Sequence, residues 1–598
     1  MKDIEAININ ARELLIGYSK KQRIVSYLRT FSFLFFLIEM FRYLKIGNVF
    51  ELIIGIILLF AFLFFVYKSS NITNSILFFE NIKKVCIEIN DEGKNDFDDA
   101  SIRSDINHPY SYDLDIFGNN SLYQKINRCQ TDIGKDRLSF FLLNHLLLID
   151  DIINRQSAIK ELSSKVEWSI RFLALTKSIK SSNSNLKSIL NWRLHCSKLK
   201  LNKKLVTVLL IVVPVFNIFW ITYAIIIKSP IFSSLMFLLS ILIFTIINKV
   251  YDKSIKSIYA SVDTKVIGLK GYSDLFLLIE NEIFTSSNNS NLQRKVIKNN
   301  TIKASLLVKK LSGLIDSYEN INIPFFGSIL NIIFLWRLQF ASKMEKFIFE
   351  NNTEIPKWFE SVAEFEALIC FGLFSYKNQE FVYPICTEDS ETMKASNLSH
   401  PLLNIKTRVA NDFCVKQNNN VTIITGANMT GKSTFLRSIG INMVLAMNGC
   451  PVCADSFYFR PISIFTSMRT NDSLSDGSSY FNSEIKRLKL LVDKLNNNES
   501  QFIILDEILK GTNSVDKLKG SEMFLQKIIS VKSLMNCVIA THDLDLTKME
   551  NDYPNNVNNL CFELHNKNGH FEPDYKLTKG VTKSMNAIDL MRKNNIID

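Results

Sequence analysis

The 598-residue sequence predicts a protein of mixed class, in which transmembrane helices and an α-helical region precede a C-terminal α/β domain. Three observations support this prediction. Two long stretches are almost free of charge, short runs of β-branched residues lie in the last 200 residues, and one such run leads into a glycine-containing loop and a helix. The first observation indicates membrane spans. The other two indicate a parallel sheet that binds a ligand at the carboxyl ends of its strands.

The composition excludes several classes of protein. Hydrophobic residues make up 47% of the chain, which is too much apolar material for a disordered protein. Glycine accounts for only 20 residues, which excludes a collagen-like chain. The net charge of +12 favours a polyanionic partner, and it fits nucleic acid and an anionic lipid surface equally well.

Four apolar stretches are candidate membrane spans, because a helix needs about 20 mainly apolar residues to cross a bilayer. They form two predicted hairpins, and Glu39 and Arg42 interrupt the first span. The alternative is that these stretches are buried helices of a soluble protein, although such helices normally keep a polar stripe. The stretches are Thr30–Leu44, Leu52–Val66, Leu205–Ile227 and Ile231–Ile247.

Lysine and arginine flank the two hairpins more densely than they occupy the connecting turns. The positive-inside rule therefore places both termini and all the polar regions in the cytoplasm. The ten cysteines are scattered, so we expect reduced thiols. Cys450 and Cys453 form one CxxC pair, which suits a redox or half-zinc site, but a structural role is favoured because no second pair completes a metal site.

A phosphate-binding loop is predicted between the apolar run Val421–Thr425 and a helical stretch that begins at Phe435. The loop matches the pattern GxxxxGK[ST] in its usual strand–loop–helix context. It reads Gly426-Ala-Asn-Met-Thr-Gly-Lys-Ser-Thr434.

Each fixed position of that pattern has a physical reason. Gly426 and Gly431 let the backbone curl so that its N–H groups point at phosphate oxygens. Lys432 is expected to reach the β- and γ-phosphates, and the Ser433 hydroxyl is expected to ligate Mg²⁺. The sequence therefore predicts ATP and Mg²⁺ as ligands.

Two further apolar runs end in polar side chains. Gln501–Leu505 is followed by Asp506, expected to hold Mg²⁺, and by Glu507, placed to polarise an attacking water as general base. Cys537–Thr541 is followed by His542, which is expected to sense the γ-phosphate. The plainer alternatives are a strand that merely ends in two acids and an ordinary loop histidine.

These segments together resemble the MutS family. The loop is similar to that family's GPNMGGKST, with Asn428 and Met429 as the discriminating residues, and Asp506–Ser514 is similar to DEIGRGTST. Asp476–Glu484 resembles the loop SGRSTFMVE, which in the family supplies a serine to the partner's nucleotide, and Ser479 is the matching position. The resemblance implies nucleotide contacts from Gly426, Asn428, Met429, Gly431, Lys432, Ser433, Thr434 and, in a segment like the family's RHP, His400.

The resemblance extends upstream and to the C-terminus. Ser121–Leu138, Ile152–Ile159 and Ala363–Leu368 are similar to parts of the family's helical core domain. Residues from Tyr575 to Asp598 resemble its C-terminal helical dimer contact. The resemblance therefore implies a homodimer.

Two departures from the family concern DNA. The region before residue 121 holds a hairpin and a linker instead of a mismatch-reading domain, and the tripeptide Phe78-Phe79-Glu80 is interpreted as a coincidence. The second hairpin lies where the family inserts its DNA-gripping clamp. DNA, mismatched or branched, is a partner that the family implies, but mismatch specificity is not expected.

The sequence thus predicts a membrane-anchored, MutS-like ATPase that couples Mg²⁺-dependent hydrolysis to a conformational switch in a dimer. One alternative is a tether between DNA and membrane that ATP regulates, and another is half of an ABC-type transporter. The predicted order is an N-terminal cytoplasmic segment (1–25), the first hairpin (26–67), a linker (68–120), the first core segment (121–204), the second hairpin (205–248), the second core segment with lever helices (249–395), and the ATPase domain with its dimer contact (396–598).

Overall fold

The computed structural model describes most of the chain. The described residues are 2–90, 107–180, 203–227, 230–261, 269–298, 301–319, 326–388, 391–416, 420–469, 480–531, 534–567 and 570–583. They form an N-terminal helical hairpin, a helical region interrupted by a second hairpin, and a C-terminal α/β domain.

The first hairpin consists of α1 (Lys2–Ile46) and α2 (Val49–Asn90), which pack along each other. Both helices extend well past the predicted bounds of 26–67, so the prediction of a linker from residue 68 is wrong as far as Asn90. The reason is periodicity: the buried residues Ile82, Val85, Cys86 and Ile89 recur at helical spacing and form one apolar stripe. That part of α2 packs against α6 (Val166–Lys180) of the helical region.

The charges that interrupt the first predicted span lie near the turn of this hairpin. Arg42 Nη1 lies 3.2 Å from Glu39 Oε1, and Arg42 Nη2 lies 3.8 Å from Glu51 Oε1 on the second helix. The one arginine therefore offsets part of the charge of the two carboxylates, which lowers the cost of placing them beside an apolar segment.

The second hairpin consists of α7 (Lys203–Ile227) and α8 (Pro230–Ser261). By length and composition, four of the described helices are suited to cross a membrane, and they are the helices of the two hairpins. Their apolar side chains are largely exposed: Phe60, Phe219 and Leu238 are 65–68% exposed.

The helical region is built around α14 (Glu354–Lys377), most of whose side chains are buried. It packs against α4 and α5. The same region contains a short β-hairpin, in which two strands of two residues each, β1 and β2, pair with each other. The other elements of this region are α3 (Leu122–Ile126), α4 (Asp132–Leu143), α5 (Ile149–Ser164), α9 (Leu269–Asn281), α10 (Ser287–Lys295), β1 (Ile297–Lys298), β2 (Ile302–Lys303), α11 (Ala304–Glu319), α12 (Phe326–Phe334) and α13 (Trp336–Asn351).

Two of the segments that resemble the family's core domain meet at the start of α4. Glu366 of α14 is fully buried and accepts hydrogen bonds from the backbone N–H groups of Gln130 (2.5 Å) and Thr131 (3.0 Å), and from the Thr131 hydroxyl. A carboxylate in this place satisfies N–H groups at the beginning of the helix that have no partner within it. Glu366 thus joins two segments that are far apart in the chain.

The α/β domain contains a six-stranded sheet in the order β12-β11-β6-β10-β9-β8. Five strands are parallel, and β12 is an antiparallel edge strand paired with β11. The strands are β6 (Val421–Gly426), β8 (Ser463–Ser467), β9 (Gln501–Asp506), β10 (Met535–Ala540), β11 (Val557–Lys567) and β12 (His570–Lys579). The three strands expected from the apolar runs are confirmed as β6, β9 and β10.

A second sheet of four strands, in the order β3-β7-β4-β5, belongs to the same domain. Its strands are β3 (Ile385–Cys386), β4 (Glu391–Leu398), β5 (Asn411–Lys416) and β7 (Ser456–Phe459). Since β3 and β4 begin before residue 396, the predicted boundary of the ATPase domain is some ten residues too late.

Helix α15 (Lys432–Met447) joins the sheet to the helical region, and most of its side chains are buried. The Met447 carbonyl accepts from Leu146 N–H at 3.2 Å, and Asn448 Oδ1 accepts from Arg155 at 3.0 Å. Helices α16 (Tyr480–Asn496) and α17 (Ser514–Ser530) instead pack with the sheet in a separate apolar cluster. Helix α15, which begins at the end of the loop, therefore connects the sheet with the helical region.

One prediction at the C-terminus is wrong. Tyr575 begins no helical contact, since residues 570–579 form β12 and pair with β11. Residues 584–598, which carry the rest of the predicted dimer contact, lie outside the described residues.

Candidate functional site

The candidate site lies where three adjacent parallel strands end. Ala540 of β10 stands opposite Ile424 of β6 on one side and Asp506 of β9 on the other. The strand ends are tied together, because Glu507 N–H donates to the Ala540 carbonyl at 2.9 Å and Thr541 N–H donates to the Ile424 carbonyl at 3.0 Å. The loop after β6, the carboxylates after β9 and His542 after β10 therefore meet at one edge.

The loop after β6 requires glycine at both of its fixed positions. Gly426 has φ +155°, and an added Cβ would lie 2.9 Å from both the Phe562 carbonyl and Thr430 Oγ1. Gly431 has φ +99°, and a Cβ there would lie 3.1 Å from the ring of Tyr575. The loop is thus closed on one side by β11 and approached on the other by Tyr575 of β12.

The Lys432 side chain is buried and forms hydrogen bonds to the backbone of the loop. Its ammonium donates to the carbonyls of Gly426 at 2.8 Å and Ala427 at 2.9 Å, and it lies 3.3 Å from His542 Nε2. Burial lowers the pKa of Lys432, while Asp506 and Glu507 oppose that shift. The ammonium is therefore a cation aimed at the strand ends and partly neutralised by two carboxylates.

Glu507 and His542 form a direct pair, with Oε1 and Nε2 separated by 2.9 Å. This hydrogen bond is the main cause that lowers the pKa of Glu507 to about 2, and Lys510 and Lys517 lower it further, against the effect of burial. Since Nε2 donates its proton to Glu507, it cannot also accept one from Lys432. Glu507 therefore stays ionised throughout the physiological range.

The backbone at Glu507 is unusual. Its φ is +52°, in the left-handed region that a non-glycine residue rarely adopts, and two residues later Leu509 has φ +59°. Backbone strain of this kind concentrates at functional sites, where the surrounding structure must hold it. Here Glu484 supplies part of that support, since its buried carboxylate accepts from the N–H groups of Leu509 (2.5 Å) and Lys510 (3.1 Å).

The predicted Mg²⁺ ligands are hard oxygen donors. Asp506 ends β9, and Ser433 lies in the first turn of α15. Among the described residues no cluster of three or more His, Cys, Asp or Glu forms a metal site. A serine hydroxyl and one carboxylate fit Mg²⁺, which keeps several waters and binds substrate phosphates rather than an all-protein cage.

The remaining predicted nucleotide residues fall into two places. Asn428, Met429 and Thr434 are exposed on the loop and the first turn of α15, and Met429 is 80% exposed with φ +67°. His400 lies instead beside Arg437, and its Nδ1 accepts from Leu402 N–H at 3.3 Å. Burial, followed by the charge of Arg437, lowers the pKa of His400 to about 4, so it is neutral at physiological pH.

Ser479 lies outside the described residues, but both ends of the segment that contains it are described. Arg469 precedes it, and α16 follows it and carries Glu484 and Arg487. Because Glu484 holds Leu509 and Lys510, the start of α16 is tied to the residues that follow Glu507.

The sequence analysis did not predict a second set of contacts to this part of the domain. These contacts are made by Asp113 and Asp115, which we call the aspartate clasp. Asp113 is 2% exposed and accepts from the Thr466 hydroxyl at 2.7 Å and from Arg469 N–H at 2.9 Å. Its Oδ2 lies 3.7 Å from Arg487 Nη2.

Asp115 completes the clasp by pairing with Arg469 at 2.6 Å and with Arg437 of α15 at 3.4 Å. The prediction of a linker is therefore wrong here too, because Asp113 and Asp115 hold this segment against the α/β domain. The sequence offered no local signal for the partners of the two aspartates, although the apolar residues beside them, Leu114 and Ile116, are buried and could have indicated a packed segment.

The CxxC pair is structural, as expected from the sequence. Cys450 and Cys453 are both buried free thiols, and Val452 between them forms a β-bridge with Val382. Burial raises the pKa of Cys453 to about 11, which makes it a poor nucleophile and metal ligand at neutral pH.

Comparison with protein families gives a match that covers the sheet and the candidate site. Residues 422–596 match the family model MutS domain V. The model begins within β6 and includes Lys432, Asp506, Glu507 and His542, so the site described above lies in the matched region of the chain.

Curated proteins give the same result over a somewhat longer segment. The chain is 31% identical over 249 residues to "MutS protein homolog 4" of Mus musculus, covering 40% of this chain and 25% of that protein. It is 30% identical over 208 residues to "DNA mismatch repair protein MutS" of Petrotoga mobilis, covering 33% and 24%. It is 26% identical over 257 residues to the protein of that name from Prochlorococcus marinus, covering 41% and 28%. The matched segments thus span about a quarter of each of these relatives.

Proposed function

The chain is a member of the MutS family, and on that premise we propose that it is a membrane-anchored, Mg²⁺-dependent ATPase that works as a homodimer. One observation carries the proposal: Lys432, Glu507 and His542 meet at the ends of three adjacent parallel strands, beside a loop that only glycine allows at positions 426 and 431. Such strand ends are where open α/β sheets bind their ligands.

The described contacts suggest how the site would respond to nucleotide. Lys432 now donates to two loop carbonyls, and the β- and γ-phosphates would take over that ammonium. His542 would likewise turn its N–H from Glu507 towards a phosphate oxygen. Loss of that hydrogen bond raises the pKa of Glu507 from about 2, which makes it a better base towards water. In this proposal His542 keeps Glu507 inactive until a γ-phosphate is bound.

Ser433 and Asp506 would hold Mg²⁺, which when bound supplies positive charge for the phosphate oxygens. Asn428, Met429 and Thr434 would line the nucleotide. Tyr575 is a further candidate, because its ring lies over Gly431 at the mouth of the loop. His400 is proposed to support α15 next to Arg437, consistent with its neutral state.

The dimer component of the proposal rests on the family resemblance of Asp476–Glu484. Ser479 of each copy would complete the nucleotide site of the other. The ties of Arg469, Glu484 and Arg487 to the rest of the domain support it, since they hold both sides of that segment.

The membrane component rests on the four apolar helices and their exposed side chains. The flanking lysines and arginines support an orientation with the ATPase domain in the cytoplasm. Protease added outside intact spheroplasts should leave that domain uncut. Cleavage between residues 474 and 479 from outside would contradict this orientation.

The proposal is tested with the full chain in lipid nanodiscs. ATP turnover is measured with Mg²⁺ and with EDTA, and then with matched and mismatched DNA duplexes at the same salt concentration. We expect turnover only with Mg²⁺. Absence of Mg²⁺-dependent turnover would rule the ATPase proposal out.

DNA is proposed as a partner that binds through lysine and arginine contacts to phosphate, so its affinity should fall steeply with salt. Base reading typically discriminates by about 1–3 kcal/mol per altered pair, and we expect well below that for a mismatch. A tenfold preference for the mismatched duplex would restore a mismatch-repair function.

A second candidate is an ATP-regulated tether between DNA and membrane, favoured by four apolar helices in a chain of net charge +12. It is supported if ATP changes DNA affinity while turnover is absent. Half of an ABC-type transporter is a third candidate, and solute uptake into proteoliposomes would support it.

A further inference from the structure

Helix α12 is mainly apolar, although it lies in the region predicted as the second core segment. Six of its nine residues are large and apolar, and none is charged. Ile329 is 53% exposed, whereas the polar Asn331 is buried and accepts from Arg337 N–H at 3.0 Å. A helix of this length is not stable alone in water, so its neighbours must stabilise it.

Those neighbours are the two helices of the second hairpin, α7 and α8, together with the following helix α13. Large apolar side chains are exposed on the two hairpin helices, as Ile329 is on α12. Among them are Phe219 on α7 and Leu238 on α8, which are 67% and 65% exposed. The apolar surface of the hairpin therefore extends onto a segment that the sequence analysis placed in the soluble core.

The end of α12 is capped from within the hairpin. The last carbonyls of a helix have no partner inside it. Here those of Ile332 and Ile333 accept from Asn217 Nδ2 of α7, at 3.1 and 3.0 Å. Asn217 is 1% exposed, and its Oδ1 lies 2.7 Å from Ser240 Oγ and 3.1 Å from Trp220 Nε1.

The polar cluster of Asn217, Trp220 and Ser240 lies near the middle of the apolar helices α7 and α8. Asn217 follows Lys204 by 13 residues and Ser240 precedes Lys249 by nine. At 1.5 Å per residue these separations are about 20 and 14 Å, against about 30 Å for the hydrocarbon layer. Backbone carbonyls at such a depth have no water to bond, so an internal donor is required.

The chain after α12 returns towards the polar side. Arg337 Nη1 lies 3.9 Å from Asp252 Oδ1, beyond the apolar part of α8, and Arg337 Nη2 donates to Tyr318 OH at 3.3 Å. Trp336, a residue type common at membrane interfaces, donates to the Ser317 carbonyl at 2.6 Å. The nine residues of α12 span only about 14 Å, too short to cross the layer.

We propose that α12 is a fifth lipid-facing segment, which enters the hydrocarbon layer beside the second hairpin without crossing it. Its partner is the acyl chains of phospholipid, and Asn217 is the residue that makes the entry possible by capping its carbonyls. The inference rests on the proposed membrane anchoring and extends it to a segment outside the four spans.

The test uses photocrosslinking to lipid. The full chain carries p-benzoyl-phenylalanine at one position, is reconstituted in phosphatidylcholine nanodiscs, is irradiated, and is analysed for phospholipid adducts by mass spectrometry. Position 329 is compared with position 60 on α2, a lipid-facing reference, and with position 349 on α13. Phe60 and Phe349 are matched in exposure, at 68% and 70%.

We expect adducts at positions 329 and 60 and at least tenfold fewer at position 349. Adducts at 60 but not at 329 would overturn the inference and leave membrane anchoring intact. Failure at both positions would overturn the anchoring itself.

The capping role is tested by Asn217→Leu, with Thr222→Val as the control. Thr222 lies on the same helix, and its hydroxyl bonds only within it in the described contacts. Asn217→Leu should lower the adduct yield at position 329 several-fold, because α12 loses the donor that holds its end in the layer, while the control should not. An unchanged yield would show that Asn217 is not required for the entry.

Discussion

The pKa values of two carboxylates, one in the α/β domain and one in the helical region, shift in opposite directions in the folded protein. Glu507 is surrounded by groups that carry or can carry positive charge, and its pKa falls to about 2. Glu366 is fully buried among backbone N–H groups and one hydroxyl, and burial raises its pKa to about 7. Both accept hydrogen bonds, so the number of donors does not decide the difference.

The difference lies in what the neighbours contribute besides hydrogen bonds. A buried carboxylate becomes protonated unless nearby charge or hydrogen bonds stabilise its ionised form, and Glu366 has the weaker stabilisation. A charged carboxylate beside a loop is suited to chemistry, whereas Glu366 is suited to joining α14 to the start of α4. The comparison therefore contrasts the proposed general base with a carboxylate that joins two helices, and the predictions below test that contrast from the largest expected effect to the smallest.

Glu507→Gln should lower kcat by about 100- to 10,000-fold, the range that a general base contributes, and leave ATP affinity nearly unchanged. Single-turnover hydrolysis and equilibrium binding of a fluorescent ATP analogue measure the two quantities. We also expect the variant to trap a closed dimer, seen by size-exclusion chromatography with ATP. Hydrolysis at the wild-type rate would show that Glu507 is not the base.

Lys432→Ala should weaken ATP binding about 1,000-fold, since truncating one partner of a buried charge pair costs about 2–5 kcal/mol. The same fluorescent analogue measures it. Lys486→Ala, on α16 away from the described loop contacts, is the control and should bind as the wild type does. Equal affinities for the two variants would remove Lys432 from the site.

Asp113→Ala should lower the free energy of unfolding by about 3 kcal/mol, because it removes the buried acceptor of the Arg469 N–H and the carboxylate that faces the Arg487 guanidinium. Asp493→Ala, at a more accessible position on α16, is the matched control. Thermal unfolding in nanodiscs compares the two. If the two variants have the same melting temperature, the aspartate clasp contributes nothing to stability.

Glu366→Gln should flatten the dependence of stability on pH. Because the pKa of Glu366 is raised from 4.5 to about 7, its contribution is fully present below pH 4.5 and is lost as the pH rises through 7. Between pH 5 and 7 that loss is about 2 kcal/mol for the wild type. Melting curves across this range measure the slope.

The exposed Glu360→Gln on the same helix is the control for that slope. The control should keep the wild-type slope, and ATP turnover should remain close to wild type in both variants. A strong loss of turnover in Glu366→Gln but not in Glu360→Gln would contradict a purely structural role for Glu366.

The strand–loop–helix segment at β6, the ends of β9 and β10 and the four apolar helices could be predicted, since each depends on consecutive residues. Lys432, Asp506 and His542 lie together at these strand ends because strand, loop and helix follow one another in a recognisable pattern, and their roles remain proposals. The extension of α2 to Asn90 has the same kind of signal in its apolar stripe.

Contacts between distant segments could not be predicted in this way. Asp113 meets Thr466 and Arg469 more than 350 residues later, and nothing near Asp113 specifies them. The position of Tyr575 over Gly431 and the capping of α12 by Asn217 depend likewise on how whole elements pack. A single sequence contains the residues of such contacts but not their pairing.

The length of α2 has a mechanical consequence. Its 42 residues form one uninterrupted helix that begins at the apolar turn and ends against α6, a distance of about 63 Å. A long helix without an internal proline curves only gently, so it moves largely as a rod. A tilt of about 5° at the end near α6 would displace the far end by roughly 5 Å. A small rearrangement of α6 would thus appear at the turn between α1 and α2 as a movement about as large as one turn of helix.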